Sequence, residues 1–124
     1  MRTTILIVEE DARLAGEIVE LLEADGHRTA KVSTVEDAMR FIGTFTPSLV
    51  VVDLGLDGAK TTRLLAELAT ADDGPPVLLV ADAPDSEPIA AQLDVPLVRK
   101  PFTLDRLLGA VREALQRPRR PSRA

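Results

Sequence analysis

Short apolar runs alternate with amphipathic stretches five times along this chain. Ile5-Leu6-Ile7-Val8, Leu49-Val50-Val51-Val52 and Val77-Leu78-Leu79-Val80 carry no polar residue. A strand that is apolar at every position has both faces covered, so these three read as central strands of a parallel sheet lying between helices. Arg28-Thr29-Ala30-Lys31-Val32 alternates and is more polar, as an edge strand would be. Val95 to Val98 is the fifth candidate. Pro96 interrupts it early, lacks a ladder donor and also favours an edge.

The stretches between have the other period. Leu14, Ile18, Leu21 and Leu22 share one helical face, and Asp25-Gly26 follows with Gly26 placed to end the helix. Val35, Ala38, Met39 and Ile42 form a second stripe, preceded by Ser33 with Glu36 three residues on, the spacing of a capping box. Leu64, Leu65 and Leu68 mark a third helix. Leu104, Leu107, Leu108, Val111 and Leu115 mark the last, with Thr103 as its cap and Pro101 in the loop before it. The fourth is the weakest: with Pro84 and Pro88 and few apolar anchors, it predicts a short or irregular turn around Glu87–Leu93.

Strand–helix alternation repeated five times predicts an open, doubly wound α/β domain. The 124 residues suit one such domain over 1–117, and residues 118–124 of the Arg/Pro stretch read as a disordered tail or the start of a linker. Hydrophobic residues make up 45% of the chain and aromatics only 2%, so the core is aliphatic and offers no stacking platform for bases. No cysteine is present, which excludes disulfides, thiolate metal sites and thiol catalysis. Four of the 15 basic residues lie in the last eight positions, leaving 11 against 20 acids in residues 1–116. A body that acidic repels phosphate backbones, so no nucleic-acid binding is expected of this domain. No apolar stretch approaches the roughly 18 residues of a membrane span. The start is too short for a signal-peptide core, so the expected location is the cytoplasm.

In such a sheet, right-handed crossovers place the functional crevice at the C-terminal ends of the strands. The residues there are Glu9-Glu10-Asp11, Asp53, Ala81-Asp82 and Arg99-Lys100-Pro101-Phe102. Any one of these alone reads as an ordinary loop residue. Asp53 stands apart because it closes an apolar run at the centre of the sheet, where a lone carboxylate is costly without a partner. Converging carboxylates raise one another's pKa, and a divalent cation relieves that cost; oxygen donors with retained water suit Mg²⁺. Lys100 adds a positive charge for an anionic ligand.

From Thr4 to about Arg117 the order of elements and residues resembles the receiver domain of two-component response regulators. The motifs that carry the resemblance are Ile5-Leu6-Ile7-Val8-Glu9-Glu10-Asp11, Pro47-Ser48-Leu49-Val50-Val51-Val52-Asp53-Leu54 and Lys100-Pro101-Phe102. The resemblance implies a flavodoxin-like five-stranded sheet in the order 2-1-3-4-5. It also implies that Asp53 accepts a phosphoryl group from a sensor histidine kinase, a phosphotransfer protein or a small donor. Mg²⁺ would be held by Glu10, Asp53 and the backbone carbonyl of Gly55, with Glu9 nearby through water. Lys100 would pair with Asp53 at rest and with a phosphoryl oxygen afterwards. The face of helix 4, strand 5 and helix 5 would meet an output protein or a second copy, and here it includes Leu97, Arg99, Arg106 and Arg112.

Several positions depart from that family. Ala81 stands where a Ser or Thr usually contacts the phosphoryl group, and Leu97 where an aromatic residue is common. Glu10 replaces an Asp, and Asp57 replaces a proline four residues beyond the acceptor. Gly55 and Ala83 are small where the family controls water access. These departures leave a second reading, a pseudo-receiver that works as a phosphorylation-independent interaction module. An enzyme is not expected: an aspartyl-phosphate hydrolase would need an acid where Gly55 stands, and a dinucleotide enzyme a glycine fingerprint where Glu9-Glu10-Asp11 stands. His27, the sole histidine, reads as a surface residue away from the crevice.

Overall fold

The computed structural model describes residues 3–53, 55, 58–70, 74–82 and 86–117. The expected tail 118–124, and the positions Asp57, Ala83 and Pro84, lie outside the described residues. The elements run β1 (Thr4–Val8), α1 (Ala12–Ala24), β2 (Arg28–Val32), α2 (Val35–Thr44), β3 (Leu49–Asp53), α3 (Gly58–Thr70), β4 (Val77–Ala81), α4 (Ser86–Leu93), β5 (Leu97–Arg99) and α5 (Leu104–Gln116). All strands are parallel, in the order β2-β1-β3-β4-β5. The fold is therefore flavodoxin-like, with β2 and β5 as the edges.

The unbroken apolar runs have a simple cause. Alternate side chains of each central strand enter opposite layers. Leu6, Val8, Val50, Val52, Leu79 and Ala81 pack against α2, α3 and α4. Ile5, Ile7, Leu49, Val51, Leu78 and Val80 pack against Ile18 and Leu22 of α1 and Leu107 and Val111 of α5. Each fully buried Leu or Ile contributes roughly 1.5–3 kcal/mol, so the two layers fix the register of every central strand.

Helix ends follow the expected chemistry with one shift. Asp11 caps α1, its carboxylate accepting from the N–H groups of Arg13 and Leu14. Gly26 follows α1 with φ of 90°, a backbone conformation open to glycine, and its N–H donates to the Glu23 carbonyl. Thr103 caps α5 as predicted. The cap of α2 is Thr34 rather than Ser33, with its hydroxyl accepting from the Asp37 N–H.

Met39 and Leu104, both counted in apolar stripes, are exposed, while Phe41 and Ile42 are the half-buried side chains that complete the α2 face. β5 starts only after Pro96, whose carbonyl still accepts from the Leu79 N–H. α4 is a short helix of 8 residues, starting one residue before the expected Glu87 and ending at Leu93 as expected. Pro88 falls within its first turn, where the missing donor costs nothing, and Asp94 ends it at φ of 55°.

Candidate functional site

Parallel strands deliver their C-terminal ends to one edge, and three distant charged residues meet there. Glu9 follows β1, Asp53 ends β3 and Lys100 follows β5. The Lys100 ammonium donates to Glu9 Oε1 and to Asp53 Oδ2, at 3.2 Å each. The side chains of Glu9, Asp53 and Lys100 are 4%, 13% and 22% exposed. Lys100 is anchored through its backbone as well, its N–H donating to the Ala81 carbonyl at 2.9 Å. Asp53 Oδ1 accepts from the Gly55 N–H at 2.9 Å, an Asx turn that orients the carboxylate.

Two carboxylates against one ammonium leave the cluster short of positive charge. Burial, and next the hydrogen bond with Asp53, push the Glu9 carboxyl above its ordinary range. Burial alone would lower the Lys100 ammonium, but the charges of Asp53 and Glu9 outweigh it and hold it above its usual value.

The structure brings Glu9, Asp53, Lys100 and Gly55 together. It leaves Glu10, expected as the nearer acid, outside that cluster. Glu10 is exposed and makes no hydrogen bond or ion pair among the described residues. It lines a cleft of about 180 Å³ beside Lys31 and Ser33. The backbone supplies the reason: the Glu9 N–H still donates to the Val32 carbonyl of β2, so Glu9 extends the ladder by one residue and Glu10 has left it. Among the described residues, no three His, Asp or Glu side chains gather tightly enough to hold a metal ion by themselves.

Ala81 is buried and offers only a methyl group, and Leu97 is half-buried against the α2–α3–α4 layer. Asp82 is exposed and, with Leu14, Glu17, Lys100, Phe102 and Leu104, lines a groove of about 560 Å³. On the α4–β5–α5 face, Arg99 pairs with Glu87 at 3.1 Å, whereas Arg112 turns away to Asp25 at the other end of the sheet. His27 lies away from the crevice, as expected, and is half-buried rather than fully exposed. It is tucked between the Thr3 hydroxyl and the Asp25 carboxylate, with its side chain 13% exposed. Asp11 was legible only as one more acid, although an acid placed just before an apolar helical stripe is an N-cap signal.

The family model of the response regulator receiver domain matches residues 5–112, nearly the whole folded region. The chain belongs to the response regulator receiver domain family. This receiver is 30% identical over 123 residues to the DNA-binding response regulator MtrA of Mycobacterium tuberculosis, covering 94% of this chain and 52% of MtrA. It is 30% identical over 118 residues to the KDP operon transcriptional regulatory protein KdpE of Escherichia coli, covering 93% and 52%. The receiver thus spans about half the length of these curated relatives. In structure it is similar to the signal receiver domain of a LuxO repressor protein from Vibrio parahaemolyticus, with a TM-score of 0.84, 24% identity and coverage of 94% and 92%. It is a receiver domain of two-component systems. Among the described residues no helix is long and apolar enough to cross a membrane.

Proposed function

We propose that this receiver accepts a phosphoryl group on Asp53 from a histidine kinase or phosphotransfer protein, in the cytoplasm and with Mg²⁺. The observation that carries the reading is the setting of Asp53. It is nearly buried at the end of a central strand, oriented by the Gly55 N–H and bonded by the Lys100 ammonium that it shares with Glu9. Each carboxylate oxygen accepts one hydrogen bond and keeps a lone pair, so the group is held in place yet remains a nucleophile.

In the reaction an Asp53 oxygen attacks phosphorus, the bond from phosphorus to the donor's imidazole nitrogen breaks with its electron pair going to that nitrogen, and the ring, already protonated on its other nitrogen, leaves as neutral imidazole. An acyl phosphate results. Lys100 follows the new charge, donating to a phosphoryl oxygen in place of the carboxylate.

The donor set suits a hard cation, since it is all oxygen and carries an acid surplus that Lys100 does not cancel. Asp53, Glu9 and the Gly55 carbonyl would offer oxygens to Mg²⁺, Glu10 joining them only if its exposed side chain turned in from the cleft beside Lys31, and the ion would neutralise charge on the transferring group. The domain acts as a phosphoacceptor and not as an enzyme on a separate substrate. Its acidic body favours protein partners over nucleic acid, and the α4–β5–α5 face is the surface for an output protein or a second copy.

Incubation with Mg²⁺ and acetyl phosphate or phosphoramidate, followed by intact-mass measurement, tests this. One added phosphoryl mass that Asp53→Asn abolishes is the expected result. No adduct with either donor would leave a phosphorylation-independent interaction module instead.

A further inference from the structure

We infer that Glu9 is a positioning residue that ties the phosphoryl site to the N-terminus of α1 through Asp11, so that phosphorylation of Asp53 is felt first at the start of α1. This rests on the proposed acceptance of phosphate by Asp53.

The tie is an unbroken series of hydrogen bonds. Lys100 Nζ joins Asp53 Oδ2 to Glu9 Oε1, at 3.2 Å on each side. Glu9 Oε2 accepts from the Asp11 N–H at 3.2 Å. The Asp11 carboxylate in turn accepts from the Arg13 N–H at 2.9 Å and the Leu14 N–H at 3.2 Å, and its carbonyl accepts from the Ala15 N–H at 2.9 Å. One carboxylate therefore uses one oxygen for the site and the other for the cap of a helix. With a side chain 4% exposed, Glu9 has little access to water as a substitute for either partner.

Phosphorylation changes this balance in one direction. An acyl phosphate carries about two negative charges where the carboxylate carried one, and three oxygens then compete for the single ammonium. The Lys100 backbone is pinned to the Ala81 carbonyl, so the side chain is the part free to move. As Lys100 turns to the phosphoryl group, Glu9 loses its donor and gains a stronger like-charged neighbour. It still accepts from the Asp11 N–H, and any turn of the Glu9 carboxylate pulls on the first turn of α1.

Among the described residues, Ala81 and Leu97 on the opposite side of the site offer no comparable handle. Ala81 presents a methyl group, which accepts and donates nothing, and Leu97 is an aliphatic side chain packed in the core layer. The groove lined by Leu14, Glu17, Phe102 and Leu104 borders the first turns of α1, so the change would be readable from outside.

Amide hydrogen exchange on the full chain, before and after treatment with Mg²⁺ and acetyl phosphate, tests the inference when intact mass is followed in parallel. In the phosphorylated protein, exchange at the Arg13, Leu14 and Ala15 amides should rise about fivefold, the scale of a weakened cap, while the α4 amides stay as they were. Glu9→Gln presents an amide donor to either Lys100 or the Asp11 N–H, which breaks the tie, so its phosphorylated fraction should show no such rise. Asp11→Asn keeps both the backbone N–H and the cap and should retain it. Adduct formation with unchanged α1 amides, or with the change confined to β4 and α4, overturns the inference alone. Absence of any adduct overturns the proposed function and the inference with it.

Discussion

The two ends of the sheet each carry a cluster of charged side chains, and they are balanced differently. At the C-terminal end Glu9 and Asp53 share the Lys100 ammonium, with all three side chains mostly buried. At the N-terminal end Asp25 stands alone against its donors. Arg112 Nη2 meets its Oδ1 at 2.6 Å, Arg112 Nε meets its Oδ2 at 3.2 Å, and His27 Nε2 meets the same Oδ2 at 3.2 Å. Thr3 completes that group by bonding His27 Nδ1. The lower cluster clasps α5 to the turn after α1, and its acid is satisfied. The upper cluster has more acid than base, in a less hydrated setting. An arrangement that only had to hold elements together would resemble the lower one, and the surplus lies at the end to which the proposed function assigns the phosphoryl group.

Removing Lys100 should break this comparison most strongly. Lys100→Met keeps the apolar stem but leaves two adjacent carboxylates uncompensated. Stranding a fully buried ion costs about 3–5 kcal/mol; discounted for the exposed fraction of Lys100, the expected loss is about 2 kcal/mol at about pH 7, measured by urea denaturation. The sign of its pH dependence is fixed. Without the ammonium the Glu9 carboxyl, already raised, loses the charge that draws it down, and a raised carboxyl destabilises only where it must ionise. The loss should therefore shrink towards about pH 5. A loss indifferent to pH would place the role of Lys100 in packing and not in charge.

How much of this was readable beforehand depends on distance along the chain. β2 was legible because its polar alternation is local, and Asp53 because a single acid closing four apolar residues is conspicuous. The choice between Glu9 and Glu10 was not legible. It is decided by one ladder hydrogen bond to Val32, which keeps Glu9 aligned with the strand. The Asp25–Arg112 clasp joins residues 87 apart, and the resemblance had placed Arg112 on the α4–β5–α5 interaction face. Met39 was assigned to the α2 core by spacing alone. A stripe counts apolar residues, but it is Phe41 that packs against the core layer while Met39 faces solvent.

A smaller effect should come from the lower cluster. Hydrogen bonding from Arg112, chiefly, holds the Asp25 carboxyl below its ordinary range. A depressed carboxyl stabilises above its unfolded value of about 4, and the gain disappears as pH falls through the lower folded value. Asp25→Asn should thus lower the thermal midpoint between about pH 8 and 5, by less than Lys100→Met does, and the gap to the parent should close below about pH 3. Arg112 is more than half exposed, which limits the contribution. A gap that persists in acid would mean that the clasp works through shape alone.

The smallest effect sharpens the upper cluster. Gly55 donates its N–H to Asp53 Oδ1, and a Cβ built on it would lie 3.4 Å from that oxygen, at the edge of ordinary van der Waals contact. Its backbone is not in the left-handed region, so alanine carries no conformational penalty there. Gly55→Ala keeps the donor and should shift stability by less than about 0.5 kcal/mol. The added methyl would stand 3.4 Å from Asp53 Oδ1, where it screens one approach of water to an acyl phosphate. The phosphorylated form should therefore persist up to about twice as long, because partial screening of one approach removes at most a small part of the water's access. Decay of the added mass after removal of the phosphodonor measures this directly. A many-fold change would show that the Gly55 backbone does more at this site than orient Asp53.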